Sequence, residues 1–172
     1  MSLETRSTAQ ECICLAVRQA ARHVTQFYDQ LLAPSGLRTT QFSLLAKLRR
    51  RGPMTINALA AEMVMDRTTL GRNILPLERD GLIRVEAAPS DRRSKQIRVT
   101  RRGEKCVDAA LKGWTEAQAQ FESAFGSGPT SELRALLRAV TTTQFAPEDA
   151  PVAHEAESSA KAQGRTVVDV NA

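Results

Sequence analysis

Helical periodicity over most of the chain and one short block of alternating residues after Gly81 predict a mainly α-helical fold with a single small β-hairpin. The helical stretches are separated by Pro- and Gly-rich stops at Pro34 to Gly36, Gly52-Pro53 and Gly126 to Pro129. Proline lacks an amide hydrogen and glycine tolerates a reversed backbone, so each pair ends a helix.

Residues 9–32 read as one long helix, with Ile13, Val17, Ala20, Val24, Phe27 and Leu31 recurring every three or four positions. A second helix, about Thr40–Arg50, puts Phe42, Leu45 and Leu48 on one face, and a third over 55–64 turns Ile56, Leu59, Ala60 and Met63 inward. Asp66 is placed to cap a fourth helix by accepting from its free first-turn amides. That helix carries Leu70, Ile74 and Leu77 inward and ends at Asp80-Gly81, with Pro76 expected to bend or loosen its last turn. Residues 82–86 and 96–100 alternate as two strands around a polar, turn-rich tip, Pro89 to Ser94. A helix follows over 102–125, with Val107, Leu111, Trp114, Ala117, Gln118 and Phe121 on one face. Thr130 or Ser131 should cap a last helix over 132–145, built on Leu133, Leu136, Leu137 and Val140. Residues 146–172 hold few large apolar side chains and are expected to be a disordered tail.

The 172 residues, 42% hydrophobic and 25% charged, suit one domain with an ordinary core. No stretch is apolar for the roughly 18–20 residues that would cross a bilayer, so no membrane partner is expected. Met1 to Thr8 is polar, and three cysteines make no disulfide framework, so the expected home is a reducing cytoplasm. The net charge is +5, with residues 1–145 at +8 and the tail at −3. A cationic body suits a polyanionic partner.

The order of three helices and a hairpin across 40–100 is that of a winged helix-turn-helix. Such a motif needs one helix with a polar, donor-rich face for the major groove and an apolar face for support. Arg67, Thr68, Thr69, Arg72 and Asn73 form that polar face. Arginine can grip guanine doubly, asparagine can read adenine, and threonine can bond phosphate or touch a thymine methyl. Arg92 and Arg93 make the hairpin tip cationic, fit to follow the backbone or enter a minor groove. Residues 66–102 hold ten bases against five acids.

Read in order, Gly36 to Phe42, Leu59-Ala60, Asp66 to Leu70, Leu77 to Ile83, Asp91 to Ser94 and Val99 to Gly103 form a set. With that set the sequence resembles the MarR family of bacterial transcriptional regulators, from about Ile13 to Phe145. The resemblance implies a regulator spanning 9–145. Its dimerisation helices lie at about 9–32 and 102–145, and its winged helix-turn-helix at about 37–101. It implies a homodimer on a pseudo-palindromic double-stranded operator, with recognition helices about 34 Å apart. It also implies that Asp91 braces a wing arginine and that Arg93 enters the minor groove. Helices 102–125 and 131–145 agree physically, since they hold more apolar positions than one thin helical layer hides.

Two signals compete. The resemblance implies a pocket between the dimerisation helices and the DNA-binding lobe for an aromatic or amphipathic effector. Arg18, Arg22 and His23 are candidates for holding a carboxylate there, and Phe42 and Trp114 for its walls. The expected function is thus a repressor released by such a ligand. One branch of the family instead senses organic hydroperoxides through one cysteine on the first helix. Aligned on Arg22 and Tyr28, Cys14 falls at that position. Tyr28 matches one of the two tyrosines that hold the branch's thiolate, while Arg18 stands where the other would be. Cys106 is expected to pack. Cys12 and Cys14, taken as about 200° apart on one helix, cannot share a metal ion, and with only two histidines no metal or other cofactor is expected. No phosphate loop or Ser-His-Asp order suggests an enzyme. A basic module that binds an acidic protein is the remaining alternative.

Overall fold

A computed structural model describes residues 12–88 and 91–145, with the backbone alone at 91–94. The chain divides into two units after Arg134, the second beginning inside the last helix. The helices are α1 (Ile13–Leu32), α2 (Thr39–Arg51), α3 (Ile56–Glu62), α4 (Arg67–Arg79), α5 (Arg101–Phe125) and α6 (Ser127–Thr142), with a 3₁₀ turn at Ala33–Ser35. The strands are β1 (Met54–Thr55), β2 (Ile83–Ala88) and β3 (Asp91–Val99).

One apolar core holds the first unit together. Leu44 and Leu45 of α2, Leu59 of α3, Leu70 and Leu77 of α4, Ile97 of β3 and Val107 of α5 are all but inaccessible to solvent. Each such side chain contributes about 1.5–3 kcal/mol on leaving water. The faces expected from periodicity in α2 and α4 fill this core. The expected face of α1 instead leaves Ile13 and Val17 exposed, that of α5 leaves Leu111 and Trp114 exposed, and that of the last helix leaves Leu136, Leu137 and Val140 exposed.

The sheet has three strands in the order β1-β3-β2, all antiparallel. The short strand β1 was not legible in the sequence: Met54 pairs with Ile97 and Thr55 with Gln96. It ties the start of α3 to the wing. Ile83 pairs with Val99 and Ala87 with Lys95, after which the register jumps so that Ala88 faces Asp91. Residues 92–94 therefore bulge between two paired positions. The tip expected as a turn over 89–94 is strand from Asp91 onward; residues 89 and 90 lie outside the described residues.

Other boundaries also differ from expectation. The first helix starts at Ile13, because Cys12 adopts an extended ψ of 106°. Cys12 therefore precedes the helix, and the separation of about 200° expected between Cys12 and Cys14 around one helix does not apply. The last helix starts at Ser127 and not after a Thr130 or Ser131 cap. Gly126, at φ 94°, makes the break alone, and Thr130 is buried inside the helix. Pro129 is tolerated because first-turn amides have no helical partner to lose. The helix α4 runs through Pro76 to Arg79, with the Asp80 amide on the Pro76 carbonyl at 2.9 Å. The expected tail, 146–172, lies outside the described residues.

Two contacts seat α1 on its neighbours. Asp29 accepts from the Thr39 amide at 2.6 Å, the Thr39 hydroxyl at 2.7 Å and the Arg38 guanidinium at 3.3 Å. A side chain from α1 thus caps α2. Partial burial pushes the Asp29 carboxyl up, but these hydrogen bonds outweigh it and hold it below the usual carboxylate range. On the other side, Gly113 of α5 leaves room for the Leu31 carbonyl of α1; a Cβ there would collide with that oxygen.

Candidate nucleic-acid interface

The fourth helix begins at a cap made by local chemistry. Asp66 is extended (φ −70°, ψ 156°) and accepts from the Thr69 amide at 2.8 Å. Hydrogen bonds from Thr69 hold its carboxyl below the usual range, so it stays ionised and satisfies a free first-turn donor. The turn before it is tight: the Met65 amide bonds the Ala60 carbonyl at 2.9 Å, and Val64 takes a φ of 51°. A β-branched residue is strained in the left-handed region, and Val64 is held there between two short bonded turns.

Leu70, Ile74 and Leu77 are buried beneath α4, which leaves the opposite face to solvent. At about 100° per residue, the line furthest from them runs through Thr68, Arg72, Leu75 and Arg79. Arg67, Thr68, Thr69 and Arg72 are all exposed, as the sequence suggested. Asn73 is not displayed in the same way. It is half-buried, and its amide donates to the Thr69 carbonyl at 3.0 Å and the Met65 sulfur at 3.9 Å. In this arrangement it braces the helix start instead of offering a free amide edge.

Asp91, Arg92 and Arg93 occupy the far end of β3 beside the register jump. Their side chains lie outside the described residues, so the Asp91–arginine brace has no geometry here. Nearer the wing's root, Glu86 accepts from Arg98 at 2.9 Å and Gln96 at 3.1 Å. Those hydrogen bonds, the Arg98 one foremost, keep its carboxyl below the usual range. Asp80 pairs with Arg79 at 3.0 Å.

The pairing of β1 with β3 creates a cleft of about 420 Å³ between α3, α4 and the wing. Ile56, Ile74, Val85 and Ile97 line it, together with the cations Arg67 and Lys95. Sequence reading missed Lys95 because nothing local relates it to Arg67.

The five ligand candidates fall in two places within one chain. Arg18, Arg22 and His23 line a shallow groove along α1 with Leu15, Gln19 and Gln26. Phe42 and Trp114, with ring centroids 6.1 Å apart, wall a separate cleft of about 580 Å³ with Ala46 and Leu111. The cations at that cleft are Lys47, Arg49 and Arg50. Lys47 is engaged by Glu62 at 2.9 Å and Arg49 by Asp108 at 2.6 Å, while Arg50 has no acidic partner among the described residues.

Cys14 is exposed and Cys106 half-buried, its thiol against the Ser35 carbonyl at 3.7 Å. Tyr28 lies 14 residues beyond Cys14 on the same helix, about 21 Å along its axis, so it cannot hold that thiol within one chain. Burial pushes the Tyr28 hydroxyl up, with Arg134 opposing. Among the described residues, no three His, Cys, Asp or Glu side chains group as metal ligands, and no helix is long and apolar enough to cross a membrane. Apolar side chains stay exposed on three of the helices. Ile13, Leu15 and Val17 of α1 are exposed, as are Leu111, Trp114 and Phe125 of α5 and Leu136, Leu137 and Val140 of α6.

Known proteins are similar to this chain in sequence and in fold. The sequence pattern of the MarR family matches residues 37–95, the helices and wing just described. An HTH-type regulator of Bacillus subtilis, YwoH, is 32% identical over 89 residues; the match spans 52% of this chain and 64% of YwoH, under two thirds of its length. The HTH-type transcriptional regulator PecS of Dickeya dadantii is 30% identical over 112 residues, spanning 63% of this chain and 68% of PecS. The transcriptional regulator MosR of M. tuberculosis, solved in complex with DNA, is 38% identical with a TM-score of 0.65, over 75% of this chain and 96% of MosR.

Proposed function

Because the chain belongs to the MarR family of transcriptional regulators, we propose that it binds double-stranded DNA as a homodimer in the cytoplasm and represses until a small ligand releases it. One observation carries the reading: a capped helix whose exposed face is Arg67, Thr68, Thr69 and Arg72, packed beside a three-stranded wing. The solved DNA complex of MosR supports it. In this reading Asn73 contributes by holding the helix start, and Asp91, Arg92 and Arg93 serve the wing. Residues 37–101 form the DNA-binding lobe. Regions 9–32 and 102–145 dimerise, which would cover the exposed apolar residues of α1, α5 and α6, and 146–172 form a tail. The proposed role is regulatory and not catalytic.

The test is selection of a duplex from a random pool, followed by affinity at several salt concentrations. Arg92→Ala with Arg93→Ala should weaken binding to most sequences and flatten the salt dependence, because each lost phosphate contact lowers the slope by about 0.9. A slope identical to wild type would take the wing off the DNA.

For the signal, we favour an aromatic or amphipathic anion in the cleft walled by Phe42 and Trp114, with Arg50 as the available cation. Arg18, Arg22 and His23 would then act only if a second chain brought them to the same place. The exposure of Cys14 favours a second reading, in which oxidation to a sulfenic acid shifts the dimer helices. The two part at one atom. Under the ligand reading, peroxide leaves both wild type and Cys14→Ser on the selected duplex. Release of wild type alone would make Cys14 the sensor.

A further inference from the structure

The recognition helix α4 carries two residues that the lobe beneath it does not explain. Gly71 lies in its interior, where glycine is a poorer helix former than any residue except proline. Among the described residues nothing lies within 4 Å of the point where a Cβ at Gly71 would stand, and its φ is not left-handed. Gly103 and Gly113 differ, because a Cβ there would run into the carbonyl oxygens of Leu82 and Leu31. Leu75 lies four residues beyond Gly71, in the row Arg67-Gly71-Leu75 along the helix surface. It is 62% exposed, whereas Leu70, Ile74 and Leu77 are buried.

We propose that Gly71 and Leu75 form an apolar notch that seats the C5-methyl group of a thymine in the major groove. This rests on the DNA-binding reading above and names a base that the helix favours beside those gripped by its arginines. Glycine lets the helix backbone come close to a ligand, and leucine supplies the wall. In the major groove the thymine methyl is the one apolar feature of a base edge. Leu75 shares the outermost line of α4 with Thr68, Arg72 and Arg79, so any duplex the two arginines reach meets Leu75 as well. The basic surroundings suit the groove of a polyanion better than the apolar surface of another protein.

The experiment starts from the duplex that the wild-type chain selects from a random pool. Each thymine is replaced in turn by uracil, which lacks only the methyl. At one position per half-site, uracil should weaken wild-type binding about fourfold for each methyl removed, the factor carried by burial of one such group. Leu75→Ala should bind the thymine duplex about as weakly and should not distinguish it from the uracil duplex. Gly71→Ala should melt at a higher temperature than wild type, as helix propensity dictates, yet bind the thymine duplex more weakly. The notch is refuted by a wild type indifferent to every uracil, by a Leu75→Ala that keeps full discrimination, or by a Gly71→Ala with unchanged affinity. A pool that yields no enriched sequence would instead overturn the DNA-binding reading, and the inference with it.

Discussion

Arg72→Ala should weaken binding to the selected duplex by about 1–3 kcal/mol for each recognition helix, the range for a bidentate arginine on guanine. In a dimer the side chain is lost twice, so the total effect approaches double that range. Arg72 is exposed and has no acidic partner among the described residues, so the fold should not notice its removal. Surface changes of this kind usually stay within about 0.5 kcal/mol. The measurement is a pair of duplex selections, with wild type and with the variant, alongside thermal melting of both. The variant should melt like wild type and tolerate several bases at one position of each half-site. An unchanged preference would remove Arg72 from the readout and leave Arg67 to carry it.

Gly113→Ala should act on stability instead. The new Cβ would meet the backbone carbonyl of Leu31, and a backbone oxygen cannot swing aside as a flexible side chain does. Overpacking of this kind costs about 1–3 kcal/mol, or a fall in melting temperature of roughly 3–10 °C for a chain of this size. The loss should be felt in the seating of α1, of which Leu32 is the one fully buried residue. Melting unchanged from wild type would mean that α1 and α5 do not approach this closely. The contrast with Gly71→Ala is informative: one glycine is required by the chain's own packing, the other by nothing within it.

The sequence by itself determined what depends on residues three or four apart. The apolar rows of α2, α4 and α5, the alternation of the wing and Asp66 as a helix cap were all legible. They arise from the pitch of a helix, the pleat of a strand and a hydrogen bond within one turn. The polar face of α4 was legible for the same reason, because a helix that buries Leu70, Ile74 and Leu77 must turn Arg72 outward. The tertiary structure decided whatever joins distant parts of the chain. Thr55 pairs with Gln96 across the sheet, Asp29 caps a helix ten residues further on, and Gly113 admits the carbonyl of Leu31. The proposed ligand groups were chosen for their chemistry, and only the packing separated Arg18, Arg22 and His23 from Phe42 and Trp114. Asn73 reads as a donor for bases, but once the turn at Val64 brings Met65 against α4 its amide has nearer partners. Local patterns fix which face of an element is apolar. Which other element covers that face depends on the path of the chain between them, and no short window of sequence encodes it.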